Sequence, residues 1–134
     1  MTRQQSRDAR LDLARKHLAA EFDAYERAGA CFVVTPFLRR DNDPVVVRID
    51  VQPDGQLVIT DGGETIDYLR MSAHEVRGSS AFEAQLQSIE SSFGVRVEDE
   101  EILLETDERG FARALASVAR AAQHLSQRLG DRTP

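Results

Sequence analysis

Apolar positions recur at helical spacing in three separate segments of the chain. Residues 6–28 are predicted to form the first helix, because their apolar positions are three or four residues apart and Gly29 suits the position after a helix end. A second helix is predicted to begin at Ser80, which has the spacing of a capping box with Glu83, and to end at Gly94. Residues 108–129 are predicted to form the last helix. The three stripes consist of Leu11, Ala14, Leu18, Phe22 and Tyr25, then Phe82, Leu86, Ile89 and Phe93, and finally Phe111, Leu115, Val118, Ala122, Leu125 and Leu129.

Other segments have the composition and the period of two that are typical of β-strands. Pro36 lacks an amide hydrogen, so the strand that contains it is predicted to lie at a sheet edge or to carry a bulge. A proline and glycine turn at residues 53–55 separates the second strand from the third. The predicted strands are residues 30–38, 45–51 and 56–60, which would form an antiparallel meander, and residues 95–98 and 102–105, which would form a hairpin.

The order of these elements predicts an α+β fold with a mostly antiparallel sheet. It runs helix, three-strand antiparallel meander, helix, two-strand hairpin and C-terminal helix, an order that resembles that of type III secretion chaperones. The length of 134 residues and a composition of 41% hydrophobic and 30% charged residues indicate one globular domain over residues 1–134, ordered at about 6–129. No apolar run approaches the roughly 20 residues of a membrane span, and residues 1–12 lack the apolar segment of a signal peptide, so we expect a cytoplasmic protein that does not bind a membrane.

The acidic residues are concentrated in the middle of the chain. The formal net charge is −6, and residues 41–110 alone contain seventeen acidic and five basic residues, which is a net charge of −12. Binding to nucleic acid through its phosphates needs a basic surface, so no nucleic-acid partner is expected. The acidic segment favours a partner with basic character, or it serves solubility.

The most distinctive local motif is the turn formed by Asp61, Gly62, Gly63, Glu64 and Thr65, called the 61–65 turn below. One interpretation is an anionic site in which Asp61 and Glu64 bind a cation or a basic group of a partner. The other is a structural joint, in which Asp61 caps a helix, Glu64 completes a capping box and the glycines supply backbone freedom. We predict the structural joint.

No catalytic residue, metal site or cofactor is predicted. His17, His74 and His124 are scattered and fit no zinc motif, and no nucleophile motif is present. Cys31 begins an apolar strand, which favours a buried, unreactive thiol. The alternative enzyme hypothesis is a carboxylate-metal hydrolase or nuclease centred on Asp61 and Glu64.

The stripe of the last helix also predicts self-association. It is longer than the other apolar faces need, and small residues at positions 112, 116 and 119 would allow close approach. A two-fold homodimer is the commonest way to bury such a surplus. The alternative is that the stripe covers one face of the sheet. The predicted dimer interface consists of Phe111, Leu115, Val118, Ala122 and Leu125.

Residues from about 10 to 105 resemble a bacterial and phage family known as domain of unknown function 1828. The resemblance rests on Thr35, Pro36 and Phe37, on Asp41 and Asp43, on Gly55, on the segment from Thr60 to Thr65 with Leu69 behind it, and on Gly94 and Val95. It implies a small intracellular protein, often from phages or mobile elements, and no established activity. A weaker similarity, in topology alone, links the chain to type III secretion chaperones, which are acidic homodimers that hold a segment of a client protein.

These observations favour a non-enzymatic protein-interaction module, chaperone-like or accessory to a phage or mobile element. The partner is expected to be a protein, bound at the 61–65 turn and the strand with Pro36. The predicted partner-binding residues are Asp61, Glu64, Thr65, Pro36 and Phe37. Besides the hydrolase, the remaining alternative is an acidic inhibitor or antitoxin that mimics nucleic acid.

Overall fold

The computed structural model describes residues 9–14, 22–72 and 80–130. Residues 9–14 are helical and form α1. The other elements, in chain order, are β1 (Asp23–Arg27), β2 (Ala30–Leu38), β3 (Pro44–Val51), β4 (Leu57–Thr60), α2 (Glu64–Ser72), α3 (Ser80–Phe93), β5 (Arg96–Glu98), β6 (Glu101–Thr106) and α4 (Phe111–Gly130).

The strands form a six-stranded sheet in the order β1-β2-β3-β4-β6-β5, and every neighbouring pair is antiparallel. This confirms the predicted α+β class. The helix α4 packs on β2, β3, β4 and β6, and α2 and α3 pack on α4. Ala14 of α1 belongs to the same core cluster. The described helices therefore cover one face of the sheet, called the helix face, and leave the opposite face, called the open face, uncovered by any described helix.

The prediction that the first helix continues to Ala28 is wrong, because Asp23–Arg27 is a strand. Ala28 and Gly29 have φ angles of 53° and 82°, which form a two-residue turn that folds β1 back on β2. Tyr25 then stacks on Phe32, with ring centroids 5.4 Å apart. The apolar spacing of three and four residues up to Tyr25 also fits a helix. In the structure, pairing with β2 satisfies the backbone hydrogen-bonding groups of this segment in an extended conformation. The predicted stripe residue Leu18 lies outside the described residues.

The predicted irregularity at Pro36 is confirmed as a bulge in β2. The register of β2 with β3 shifts between Val34 and Leu38. The Thr35 hydroxyl donates to the Val45 carbonyl (2.8 Å) and accepts from the Phe37 amide (3.3 Å). The side chain of Thr35 thus replaces ladder hydrogen bonds at the position where proline has no donor.

The core lies between the helix face of the sheet and α4. Alternate residues of β2, β3 and β4 are buried, among them Val33, Val47, Ile49 and Ile59, and α4 packs against these strands. The five residues predicted for a dimer interface, Phe111, Leu115, Val118, Ala122 and Leu125, are all fully buried within one chain. This placement corrects their assignment, since packing within one chain already buries these five side chains. Self-association itself stays a prediction.

Within the described residues, no helix combines the length and the apolar character that crossing a membrane requires.

Candidate partner-binding site

The carboxylate of Asp61 is the centre of the 61–65 turn and is only 3% exposed. Its Oδ1 accepts from the amides of Gly63 (3.0 Å) and Ile102 (2.9 Å), and its Oδ2 accepts from the amide of Thr65 (3.2 Å). The amide of Asp61 donates to the Ile102 carbonyl (3.1 Å). One side chain therefore caps α2 and ties β6 to the end of β4, as the structural-joint interpretation predicts.

Burial raises the pKa of the Asp61 carboxyl above its usual value, against the opposing hydrogen bonds from Thr65, Ile102 and Gly63. Both carboxylate oxygens accept backbone hydrogen bonds and the side chain is buried, which leaves little of it accessible to a metal ion. Within the part of the chain that the structure describes, no three His, Cys, Asp or Glu side chains form a group that could hold a metal.

The predicted capping box does not form, because the amide of Asp61 donates to Ile102 and not to Glu64. The side chain of Glu64 is exposed instead. Gly62 and Gly63 have φ angles of 69° and 81°, which lie in the left-handed region that glycine adopts readily. The backbone of the turn therefore favours glycine at both positions.

Arg48 connects the 61–65 turn to the middle of the open face. Its guanidinium forms a forked ion pair with Asp50 at 3.1 Å and lies 3.8 Å from Glu101. Glu101 in turn accepts from the Thr60 hydroxyl (2.7 Å), which accepts from the Gly62 amide (3.0 Å). This chain of contacts holds the turn against the sheet. The hydrogen bond with Asp50 raises the pKa of the Arg48 guanidinium above its usual value.

The hairpin between β5 and β6 packs beside the same turn. Asp99 and Glu100 have φ angles of 50° and 66°, the left-handed conformation that a two-residue hairpin turn requires. Arg70 of α2 forms an ion pair with Glu100. A Cβ at Gly63 would lie 3.6 Å from the Glu100 carbonyl oxygen, so a side chain there would meet the hairpin. The acidic hairpin tip is thus a packed neighbour of the turn.

Two adjoining depressions on the open face form the principal candidate site, called the open-face groove. One, of about 330 Å³, is lined by Tyr25, Arg27, Ala28, Phe32, Val46 and Glu64. The other, of about 230 Å³, is lined by Phe32, Val46, Arg48, Asp61, Gly62 and Glu64. They share Phe32 and Val46 as a floor and Glu64 as a rim. The register explains this grouping, because Tyr25 is opposite Phe32 and Phe32 is opposite Arg48 on adjacent strands.

The five predicted partner-binding residues do not form one surface. Asp61 and Thr65 are buried, at 3% exposure each, and so are corrected to structural positions. Glu64 is exposed on the rim of the groove. Pro36 is exposed at the bulge of β2. Phe37 is half-buried, and its ring centroid lies 6.2 Å from that of Phe22 and 5.6 Å from Cζ of Arg120.

Sequence reasoning missed Tyr25, Phe32, Val46 and Arg48 as groove residues. Tyr25 was assigned to a helix, so its pairing with Phe32 could not be expected. The period of two in residues 45–51 puts Arg48 on the polar side of that strand, and this pattern is the sequence signal available for this surface.

Comparison with known proteins identifies a family. The family model described as Domain of unknown function DUF1828 matches residues 35–124, which is 90 of the 134 residues. No curated protein and no solved structure matches the chain. The matched segment contains the bulge at Pro36, the 61–65 turn, the acidic hairpin and most of α4. The chain therefore belongs to the DUF1828 family.

Proposed function

We propose that this chain is a non-enzymatic protein-interaction module that binds a segment of a partner protein in the open-face groove. The observation that carries the proposal is an aromatic and aliphatic floor with a charged rim, on a sheet face that no described helix covers. Tyr25 is 38% exposed although it stacks on Phe32. Tyrosine and phenylalanine in such positions contribute strongly to protein interfaces, because they bury a large area at a small cost in side-chain entropy.

The occupant that fits this groove is an apolar side chain of the partner followed by a basic one. The depressions of about 330 and 230 Å³ lie at or below the lower end of the roughly 300–1,000 Å³ range of small-molecule sites. They therefore suit single side chains better than a cofactor. Glu64 supplies an exposed carboxylate at the rim that both depressions share, while Arg27 stands at the far end. The basic residue of the partner is expected on the Glu64 side.

A chaperone-like or mobile-element accessory role is the finer form of this proposal. Docking of a short segment through apolar side chains in a groove is a recurring mode of peptide recognition, and it is compatible with retention of a client. The geometry does not favour the hydrolase alternative, because the oxygens of Asp61 are engaged by Gly63, Thr65 and Ile102. No observation favours the acidic inhibitor over the groove, and the test below separates the two.

The test uses a random peptide library displayed on phage and selected on the wild-type chain. The affinities of the enriched peptides are then measured for two matched variants, Val46→Ser and Val58→Ser. Both valines are half-buried and point to the open face, but Val46 lines the groove and Val58 does not. We expect peptides with an apolar residue beside Lys or Arg, bound about tenfold more weakly by Val46→Ser, since loss of apolar burial of this size costs about 1 kcal/mol or more.

Glu64→Gln should weaken the same peptides through loss of the rim charge, and more so at low ionic strength. Peptides that bind Val46→Ser as well as wild type would refute the groove. The acidic-inhibitor hypothesis would be favoured instead if peptide binding depended on the acidic hairpin tip alone. In that case Glu98→Gln would lose binding and Val46→Ser would bind as wild type does.

A further inference from the structure

The strand β3 extends beyond its neighbour β4 and leaves part of its edge without a partner strand. The register of the two strands ends at the pair of Arg48 and Thr60, although β3 begins well before Arg48. After Thr60 the chain turns towards β6, because the Asp61 amide donates to the Ile102 carbonyl. Among the described residues, no strand pairs with residues 44–47 on this side. The position beside these residues and beyond the end of β4 is called the β3 gap below.

The backbone groups that face the β3 gap follow from the turn at the other end of β3. The amide of Gln52 donates to the Gln56 carbonyl (2.8 Å), and hydrogen-bonded and non-hydrogen-bonded pairs alternate along an antiparallel ladder. Arg48 therefore directs its backbone groups towards β4, and Val46, two residues away, directs its N–H and C=O into the gap. The Pro44 carbonyl points the same way. No described residue forms a hydrogen bond with these three groups.

The proline at position 44 fits an edge that is unpaired within the chain. By the same alternation its ring nitrogen faces the β3 gap, and proline occurs in sheets where its nitrogen needs no hydrogen-bond partner. The opposite side of β3 is occupied, since Val46 lies opposite Val34 of β2. The gap is therefore a short sheet edge with one donor and two acceptors available for pairing.

The open-face groove adjoins the β3 gap. Its depression of about 230 Å³ is lined by Val46 of β3 and by Gly62 and Glu64 of the 61–65 turn, so it lies beside this edge. We propose that the partner segment binds in an extended conformation and continues the sheet here, through main-chain hydrogen bonds with Val46 and Pro44. This inference rests on the proposed function and adds the mode of binding. Addition of a strand to an exposed sheet edge is a recurring mode of peptide recognition.

The side chains beside the β3 gap determine which segment fits. Directly opposite residues of paired strands have their side chains on the same face, so the residue opposite Val46 would lie beside Val46 and Phe32 on the open face. An apolar side chain suits this position. The exposed Glu64 forms an ion pair with no described residue, whereas the Arg48 guanidinium is already paired with Asp50. The uncompensated charge is therefore negative, and a Lys or Arg of the partner segment complements it.

Amide hydrogen exchange followed by NMR tests whether the edge is open in the free chain. The Val47 amide points to β2 and is protected by the β2–β3 ladder. The Val46 amide should exchange at least about a hundredfold faster than the Val47 amide. Slow exchange of Val46 at every protein concentration would show that this chain fills the gap itself. Protection of Val46 that rises with concentration would assign the gap to a second copy, and either result would overturn the proposal.

Binding is tested with synthetic copies of the tightest peptide selected on the wild-type chain, each N-methylated at one backbone amide. The copies have identical side chains, so each is a matched control for the others. Methylation should weaken binding about tenfold or more at amides that face β3, because it removes a donor and adds bulk. At the amides between them the loss should be less than about threefold, since successive amides of a strand point to opposite sides. Binding of the unmethylated peptide should also slow exchange of the Val46 amide at least about tenfold.

The results distinguish failure of strand addition from failure of the groove. Equal tolerance of N-methylation at all positions, or a Val46 amide that still exchanges rapidly in the complex, would overturn strand addition. Weaker binding to Val46→Ser would in that case still support the groove. Peptides that bind Val46→Ser as well as wild type, or a selection that enriches no peptide, would overturn both proposals. Circular dichroism melting confirms that Val46→Ser is folded.

Discussion

Replacing Asp61 by alanine should test how the 61–65 turn holds the fold together. The substitution removes the acceptor for three backbone amides, those of Gly63, Thr65 and Ile102. Two of these donors belong to residues that are essentially buried, with Ile102 at 0% and Thr65 at 3% exposure. Water reaches neither amide easily, so both would lose a hydrogen bond in the folded state that they make in the unfolded chain.

The expected cost is larger than that of an ordinary helix cap. Each buried donor left without an acceptor costs about 1–3 kcal/mol, whereas loss of a helix N-cap costs about 0.5–2 kcal/mol. The amide of Gly63 is half-buried and can be hydrated, and the substitution also relieves the desolvation of the carboxylate. We therefore expect a net loss of about 3 kcal/mol in the free energy of unfolding, which for a chain of this size lowers Tm by about 10 °C.

Thermal and urea unfolding followed by circular dichroism measure this loss, and Asp54→Ala provides the matched control. Asp54 also accepts one backbone hydrogen bond, from the Gln56 amide (2.9 Å), but it lies in an exposed turn. Its replacement should cost less than about 1 kcal/mol, because water can replace the carboxylate. Equal effects of the two substitutions would refute the argument that burial of the amide donors makes Asp61 essential.

The stabilities of wild type and of Asp61→Ala should respond differently to pH. Because burial raises the pKa of the Asp61 carboxyl, the folded chain binds this proton at a higher pH than the unfolded chain. The stabilisation that results is fully present below the unfolded pKa and is lost as the pH rises through the folded pKa. The difference in stability between wild type and Asp61→Ala should thus widen as the pH is lowered from neutral towards about 4. A gap that narrows would contradict the direction of the shift.

Three further predictions concern the interior. Because both oxygens of Asp61 accept amide hydrogens, millimolar magnesium or manganese should leave Tm unchanged, and a metal-induced rise that disappears in Asp61→Ala would revive the hydrolase hypothesis. Leu125→Glu should unfold the chain rather than dissociate a dimer, because a carboxylate at this fully buried position would lose its hydration. A variant that is folded by circular dichroism and monomeric by light scattering would contradict this. Cys31 is fully buried and burial raises the pKa of its thiol, so a thiol reagent should react with it only after denaturation, and rapid labelling of the native chain would count against this.

Local sequence signals were enough to predict most of the fold. A compact apolar run indicated β2, alternation indicated β3, and Pro36 indicated the bulge. Gly94, with a φ angle of 70°, ends the helix before the hairpin as predicted. Asp61 was predicted as a joint from its position between a strand and a helix. These features depend on the conformations that a few neighbouring residues allow, so the sequence determines them without knowledge of distant contacts.

The tertiary structure decided what lies opposite each element. Tyr25 belongs to a strand because the turn at Ala28 and Gly29 places it on Phe32, although its spacing also fitted a helix. Asp61 accepts from Ile102, 41 residues away, a partner that no local pattern could reveal. The stripe of α4 indicated burial but not whether a sheet or a second chain provides it. Periodicity specifies which side of an element is apolar, and only the packing of all elements determines what covers that side and which surface stays open.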